Sequence, residues 1–206
     1  MTEISNLTLH FNNEIIFNNF SLKIQRGEKI ALTGESGKGK STLLNLLCGF
    51  VPDYEGAISV LGEKMNAENV SDIRKKIAWL PQDTSLAVKT VNELFFEPFE
   101  FVLNKPLKPT KKEVTEIFSA FELSENLLTK KTNEISGGQK QRIILASCLL
   151  LKKPLLLADE PTSALDENIK RKITDYILKK DDLTVIAATH DDYWIKHSTG
   201  VVNLMR

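Results

Sequence analysis

Apolar and polar residues alternate along residues 3–9 and 20–25, the period-2 pattern of strands buried on one face. Asn12-Asn13 and Asn18-Asn19 supply turn chemistry around them. After Gly27, residues 28–33 carry the unbroken apolar run Ile30-Ala31-Leu32, which predicts a buried strand. Residues 40–48 take up helical spacing. Residues 57–61, between Gly56 and Gly62, read as a strand, and residues 77–80 as another that stops at Pro81. The pattern changes after Gln82. Residues 90–103, 111–121 and 138–151 follow the period of a helix, with Val114, Ile117, Phe118 and Phe121 on one face. Pro98, Pro106 and Pro109 punctuate this stretch. From Leu155 strand and helix alternate again: strand 155–158, helix 166–180, strand 184–188, a short helical piece after His190, and strand 201–205. This order predicts an α/β protein whose parallel-sheet core carries an inserted helical lobe.

The composition is that of a globular protein, with 42% hydrophobic and 26% charged residues among 206. Lys and Arg balance Asp and Glu at 27 each, so nucleic acid is not an expected partner. No stretch approaches the roughly 18 apolar residues of a membrane span. The start, Met-Thr-Glu-Ile-Ser-Asn, lacks the basic-then-apolar pattern of a signal peptide. A cytoplasmic location is expected, with any membrane association supplied by a partner. Cys48 and Cys148 sit among apolar residues and read as core. Six phenylalanines (95, 96, 99, 101, 118 and 121) concentrate in the helical stretch, and their spacing fits helical core.

Three motifs carry chemistry. Gly34-Glu35-Ser36-Gly37-Lys38-Gly39-Lys40-Ser41-Thr42 fits the phosphate loop G-x-x-x-x-G-K-[ST], between a predicted strand and a predicted helix. Its N–H groups would cradle a phosphate, Lys40 would reach the β- and γ-phosphates, and Ser41 would place its hydroxyl on Mg2+. Leu155-Leu156-Leu157-Ala158-Asp159-Glu160-Pro161 is an apolar run ending in two acids at the carboxyl end of a buried strand. Asp159 there would hold the Mg2+ shell, and Glu160 could orient and deprotonate an attacking water. Asp-Glu-Pro also opens loops well. Ser136-Gly137-Gly138-Gln139 precedes a helix and so offers a second set of N–H donors for an anion.

With these motifs in this order, the chain resembles the ATPase subunit of ATP-binding cassette (ABC) systems, and the resemblance spans essentially its whole length. It implies a P-loop NTPase (RecA-type) core with an N-terminal antiparallel β subdomain and an inserted α-helical subdomain. Residues 1–83 and 152–206 would form the core, and residues 84–151 the helical part, ending in the signature Ser136–Gln139 and its helix. It implies ATP and Mg2+ as ligands. It also implies a second ATPase subunit, a homodimer by default, whose signature closes on the γ-phosphate held by the first. Gln82 looks like the glutamine that touches Mg2+ and water. Ser163-Ala164-Leu165-Asp166 looks like the loop crossing the dimer interface. His190 looks like the switch histidine at the γ-phosphate. Phe11 stands where the family stacks an aromatic on adenine, though core packing is the other reading. His10 and His197 match nothing.

The function so implied is ATP hydrolysis driving a transporter through transmembrane permease subunits, with the ATPase peripheral on the inner face of the membrane. Residues 83–100 are the candidate docking surface, with charge at Phe95 or Phe96 expected to uncouple the partner. The alternative is a non-transport single cassette, such as an iron–sulfur cluster-assembly ATPase. Leu128-Thr129-Lys130 and the segment from Thr162 to Glu167 resemble a small iron-exporter group.

Overall fold

A computed structural model describes residues 1–11, 14–83 and 88–204. Nine strands form two sheets. β1 (Thr2–Phe11), β2 (Glu14–Ile24), β4 (Glu55–Val60) and β5 (Glu63–Lys64) make an antiparallel sheet in the order β2-β1-β4-β5. β3 (Lys29–Thr33), β6 (Ile77–Leu80), β7 (Leu155–Asp159), β8 (Thr184–Ala188) and β9 (Gly200–Asn203) make a parallel sheet in the order β6-β7-β8-β3-β9. Seven helices accompany them: α1 (Lys40–Leu47), α2 (Val70–Arg74), α3 (Val91–Glu100), α4 (Lys111–Ala120), α5 (Gly137–Leu150), α6 (Glu167–Leu178) and α7 (Asp192–His197).

Alternation along the parallel strands divides the core in two. Leu155, Leu157, Ile186, Ala188, Ile30 and Leu32 face α1 and the antiparallel sheet. Leu156, Ala158, Val185, Ala187 and Ala31 face the other way, onto α5, α6 and α7. That second cluster runs without a break into Phe95, Phe99, Phe118 and Phe121 of the helical stretch. The helices between residues 91 and 150 therefore share a core with the sheet.

Asn18-Asn19 is not a turn. β2 passes through it, and Asn19 adopts φ 50° while its N–H donates to Thr8 Oγ1 at 3.1 Å. Asn6 on the facing strand does the same at φ 51°, its N–H reaching Ser21 Oγ at 2.9 Å. Asparagine tolerates the left-handed region, so the pair bulges without breaking the ladder. The Asn12-Asn13 turn lies outside the described residues, as does the end of the last predicted strand at Met205. β5 and α2 carry too little periodicity to be read from sequence; α2 buries only Ile73.

The helix predicted over 90–103 starts after Thr90, whose side chain forms a capping box with Glu93, and stops at Glu100. Phe101 leaves the helix at ψ 133°, three residues after Pro98. Asn104 Nδ2 takes up the Pro98 carbonyl at 2.8 Å. Phe101, Val102 and Leu103 are exposed. Phe95 corrects the docking expectation. It is fully buried, edge-on to Phe118 at 5.1 Å and to Phe96 at 4.8 Å. A charge there would break the core rather than a contact with a partner. Phe96 is only partly covered, under Lys108 Nζ at 5.4 Å from its ring centroid.

Candidate active site

The loop between β3 and α1 bends tightly enough to need glycine at its last position. Gly39 sits at φ 88°, and a Cβ there would lie 2.9 Å from Ile16 and 3.0 Å from Phe17. Its turn aims the N-terminus of α1 into a cavity of about 370 Å³. Lys40, the first residue of α1, is buried, and its Nζ donates to the carbonyls of Gly34 (2.6 Å) and Glu35 (3.0 Å). Ser36, Gly37, Ser41 and Thr42 complete this wall.

The other wall comes from the carboxyl ends of neighbouring strands, as parallel sheets arrange their sites. Gln82 follows β6, Asp159 and Glu160 end β7, Ser163 comes next, and His190 follows β8. Asp159 is buried and Glu160 has 17% of its side chain exposed. His190 Nε2 lies 3.7 Å from Glu160 Oε1. The donor set fits Mg2+ carried on a nucleotide. That ion keeps waters and phosphate oxygens, so one carboxylate and a hydroxyl suffice from the protein. Among the described residues no group of three or more His, Cys, Asp or Glu could hold a metal by itself.

Ser136 caps α5, accepting from Gln139 N–H at 3.1 Å while Gln139 Oε1 accepts from Ser136 N–H at 3.0 Å. Ser136 and Gly137 are exposed, Gly138 and Gln139 partly so, and none of the four lines the cavity.

Residues 17–163 match the ABC transporter family. The chain belongs to that family. The thiamine import ATP-binding protein ThiQ of Histophilus somni is 37% identical over 191 residues, 90% of this chain and 82% of that one. The ergothioneine transport ATP-binding protein EgtV of Helicobacter pylori is 33% identical, over 92% of this chain and 89% of its own. A probable iron export ATP-binding protein of Escherichia coli is 32% identical, over 92% and 84%. Among solved structures, a dimeric ATP-binding cassette in a post-hydrolysis state with ADP and phosphate superposes with a TM-score of 0.83 at 28% identity. That match covers 98% of this chain and 94% of the other. This ABC protein is thus an ATP-hydrolysing subunit of a transporter, and the cluster-assembly alternative falls away. With importers and an exporter alike among the relatives, the likeness at Leu128-Thr129-Lys130 singles out no cargo.

Burial holds the Glu160 carboxyl of the ABC subunit above the usual carboxylate range, against the pull of His190 and, more weakly, Lys40. The backbone of Glu160 is itself unusual, at φ 50°. Sequence reasoning missed Asp191. Its carboxylate caps α7 at Tyr193 N–H (2.9 Å) and Trp194 N–H (3.3 Å) and accepts from Thr162 Oγ1 at 2.8 Å. It thereby ties the His190 turn to the segment after Glu160. An Asp just ahead of a helical pattern was the available signal.

The remaining candidates, Ser163 apart, do not line the cavity. Gly34, Glu35 and Lys38 belong to the loop but do not face it, and Glu35 and Lys38 pair with each other at 3.8 Å. Phe11 is 67% exposed at the end of β1. Lys38 borders a second groove, of about 490 Å³, lined by Ile15, Ile16 and Phe17. In the loop from Ser163, Ser163 and Ala164 are exposed and Leu165 is core. Asp166 caps α6 through Asn168 N–H (3.2 Å) and Ile169 N–H (3.1 Å).

Proposed function

We propose that two copies of this chain enclose ATP between the phosphate loop of one and the signature, Ser136 to Gln139, of the other. The observation that carries this reading is a division of labour. Loop, carboxylate pair and His190 converge on one cavity, while the signature of the same chain stands outside it, with Ser136 and Gly137 exposed at the start of α5. The dimeric, product-bound state of the solved relative supports it.

The γ-phosphoryl group sits against the N-terminus of α1, with the Lys40 ammonium exchanging its loop carbonyls for phosphate oxygens. Ser41, Asp159 and Gln82 would hold Mg2+. When bound, that ion draws charge off the β- and γ-phosphates. Glu160 takes the proton of the attacking water, a role served by a carboxyl that burial holds above its usual range. His190 contacts the γ-phosphate and steadies Glu160. Phe11 stacks on adenine, contributing about 1–3 kcal/mol by analogy with other base–aromatic contacts. Ser163 and Ala164 face the partner copy. Residues 84–151 form the lobe that reports the state of the site to transmembrane permease subunits, which keep the protein at the cytoplasmic face of the membrane. Among the described residues no helix is long and apolar enough to cross it.

Mixing two inactive variants tests the composite site. Lys40→Ala and Ser136→Arg should each hydrolyse almost no ATP alone. Together they should recover activity, because a mixed dimer holds one intact loop opposite one intact signature. Activity in either variant alone, or none on mixing variants that demonstrably pair, overturns the shared-site reading.

A further inference from the structure

The signature helix grips the catalytic segment of its own chain. Gln141, one turn into α5, is buried at 7% exposure, yet nothing in ATP binding requires it. Its Nε2 donates to the Glu160 carbonyl at 2.8 Å and, more weakly, to Ser163 Oγ at 3.4 Å. Its Oε1 accepts from Ala164 N–H at 3.0 Å. One turn earlier, Gly138 packs so closely on the same segment that a Cβ would stand 2.8 Å from the Ala164 carbonyl oxygen. The next residue, Arg142, reaches the other way. Its guanidinium donates to the carbonyls of Phe121 (2.8 Å) and Glu122 (2.9 Å) at the end of α4.

Glu160 needs such a grip. Its φ of 50° lies in the left-handed region, which costs an L-residue roughly 1–2 kcal/mol. From the sheet side its N–H is held by the Ala188 carbonyl at 2.8 Å. On the other side its carbonyl accepts from Gln141, Ser163 Oγ (3.1 Å) and Ser163 N–H (3.3 Å). Of these, only Gln141 belongs to an element anchored in the helical stretch. Without it, the Glu160 carbonyl keeps only the Ser163 bonds of its own segment, and the strained peptide loses its tie to α5.

From this we infer that Gln141 is a positioning residue: acting from the signature helix, it fixes the backbone of Glu160, so that the orientation of α4 and α5 sets the aim of the water-activating carboxylate. Lobe movement then reaches the reaction through protein alone, by Arg142 on one side of α5 and Gln141 on the other. The inference rests on Glu160 being the general base.

Three variants of the full chain test it: Gln141→Met, Glu160→Gln and the double. Gln141→Met keeps the length and apolar fit but removes the amide. It should lower kcat by about 10- to 100-fold, the scale of an ångström's misplacement, with KM and fluorescent-ATP affinity unchanged. Residues that act as a unit are not additive, so in the Glu160→Gln background it should take nothing further from the single-turnover rate. Gln141→Glu is a fourth variant. It still accepts from Ala164 N–H but, ionised, cannot donate to the Glu160 carbonyl, and should show the same loss. Wild-type kcat in Gln141→Met, or a loss that multiplies with that of Glu160→Gln, overturns the positioning role and leaves the base standing. Full activity in Glu160→Gln removes the base and the inference with it. Loss of cooperative folding in both Gln141 variants also overturns it, making the side chain a structural member only.

Discussion

Glu160 carries two costs at once: an ionised carboxylate with little solvent, and a backbone angle that few residues adopt willingly. The first gives a signed prediction. Because the folded state holds its pKa above the usual 4.5, folding favours the protonated form. At pH 7 the wild type therefore bears a charge that opposes folding, and Glu160→Gln removes it. The variant should melt higher at neutral pH. The gap should close as pH falls through the raised pKa, where the wild-type carboxyl takes up its proton. Differential scanning calorimetry from pH 7 to below 4.5 checks this; a variant that melts no higher at pH 7 contradicts it. The two thiols are quieter. Burial pushes both Cys48 and Cys148 up to about 12, so they are core methylenes in all but name.

Elements follow the sequence where local pattern and burial agree. Strands β3, β7 and β8 are near-continuous apolar runs, and all three fall where the hydrophobic pattern put them. The phosphate loop and the acid pair were legible for the same reason, because their chemistry is written in consecutive residues. What needed the third dimension was pairing. Asn18-Asn19 has turn chemistry, yet becomes a bulge because Thr8 on the facing strand supplies the acceptor for Asn19 N–H. Lys29, on which the sequence pattern is silent, is buried at the start of β3, its ammonium donating to the carbonyls of Gly27 (2.7 Å), Lys180 (2.8 Å) and Leu183. It thus ties together the entry to β3, the end of α6 and the entry to β8. Burial lowers its pKa, partly offset by Asp181. Lys29→Met should destabilise the fold by about 1–3 kcal/mol, the cost of leaving buried carbonyls unpaired, read from the urea midpoint.

For the whole molecule, the shared core matters most, because helices packed on the same cluster as the sheet cannot move without disturbing it. α5 spans the junction, packing on both α3 and β6. A permease docking against the helical stretch has little free surface at Phe95 but a usable face at Phe96. Phe96→Glu should therefore leave ATP affinity near wild type, at some cost in melting temperature because the ring also packs on Phe95, while abolishing co-purification with the membrane subunits. Retained assembly would place docking elsewhere on the lobe. The left-handed turn at Glu160 has a further consequence for how such pairs of subunits change over generations. Glycine, asparagine and aspartate enter that conformation readily, and glutamine fits as the glutamate does, whereas valine, isoleucine and threonine are shut out by their branched Cβ. Descent toward a partner copy that binds ATP but no longer cleaves it thus has a short list of single steps. A duplicated gene drifting at this codon reaches a silent, still-folded sister at least cost by that list, whereas a β-branched residue adds strain to a backbone that already carries some.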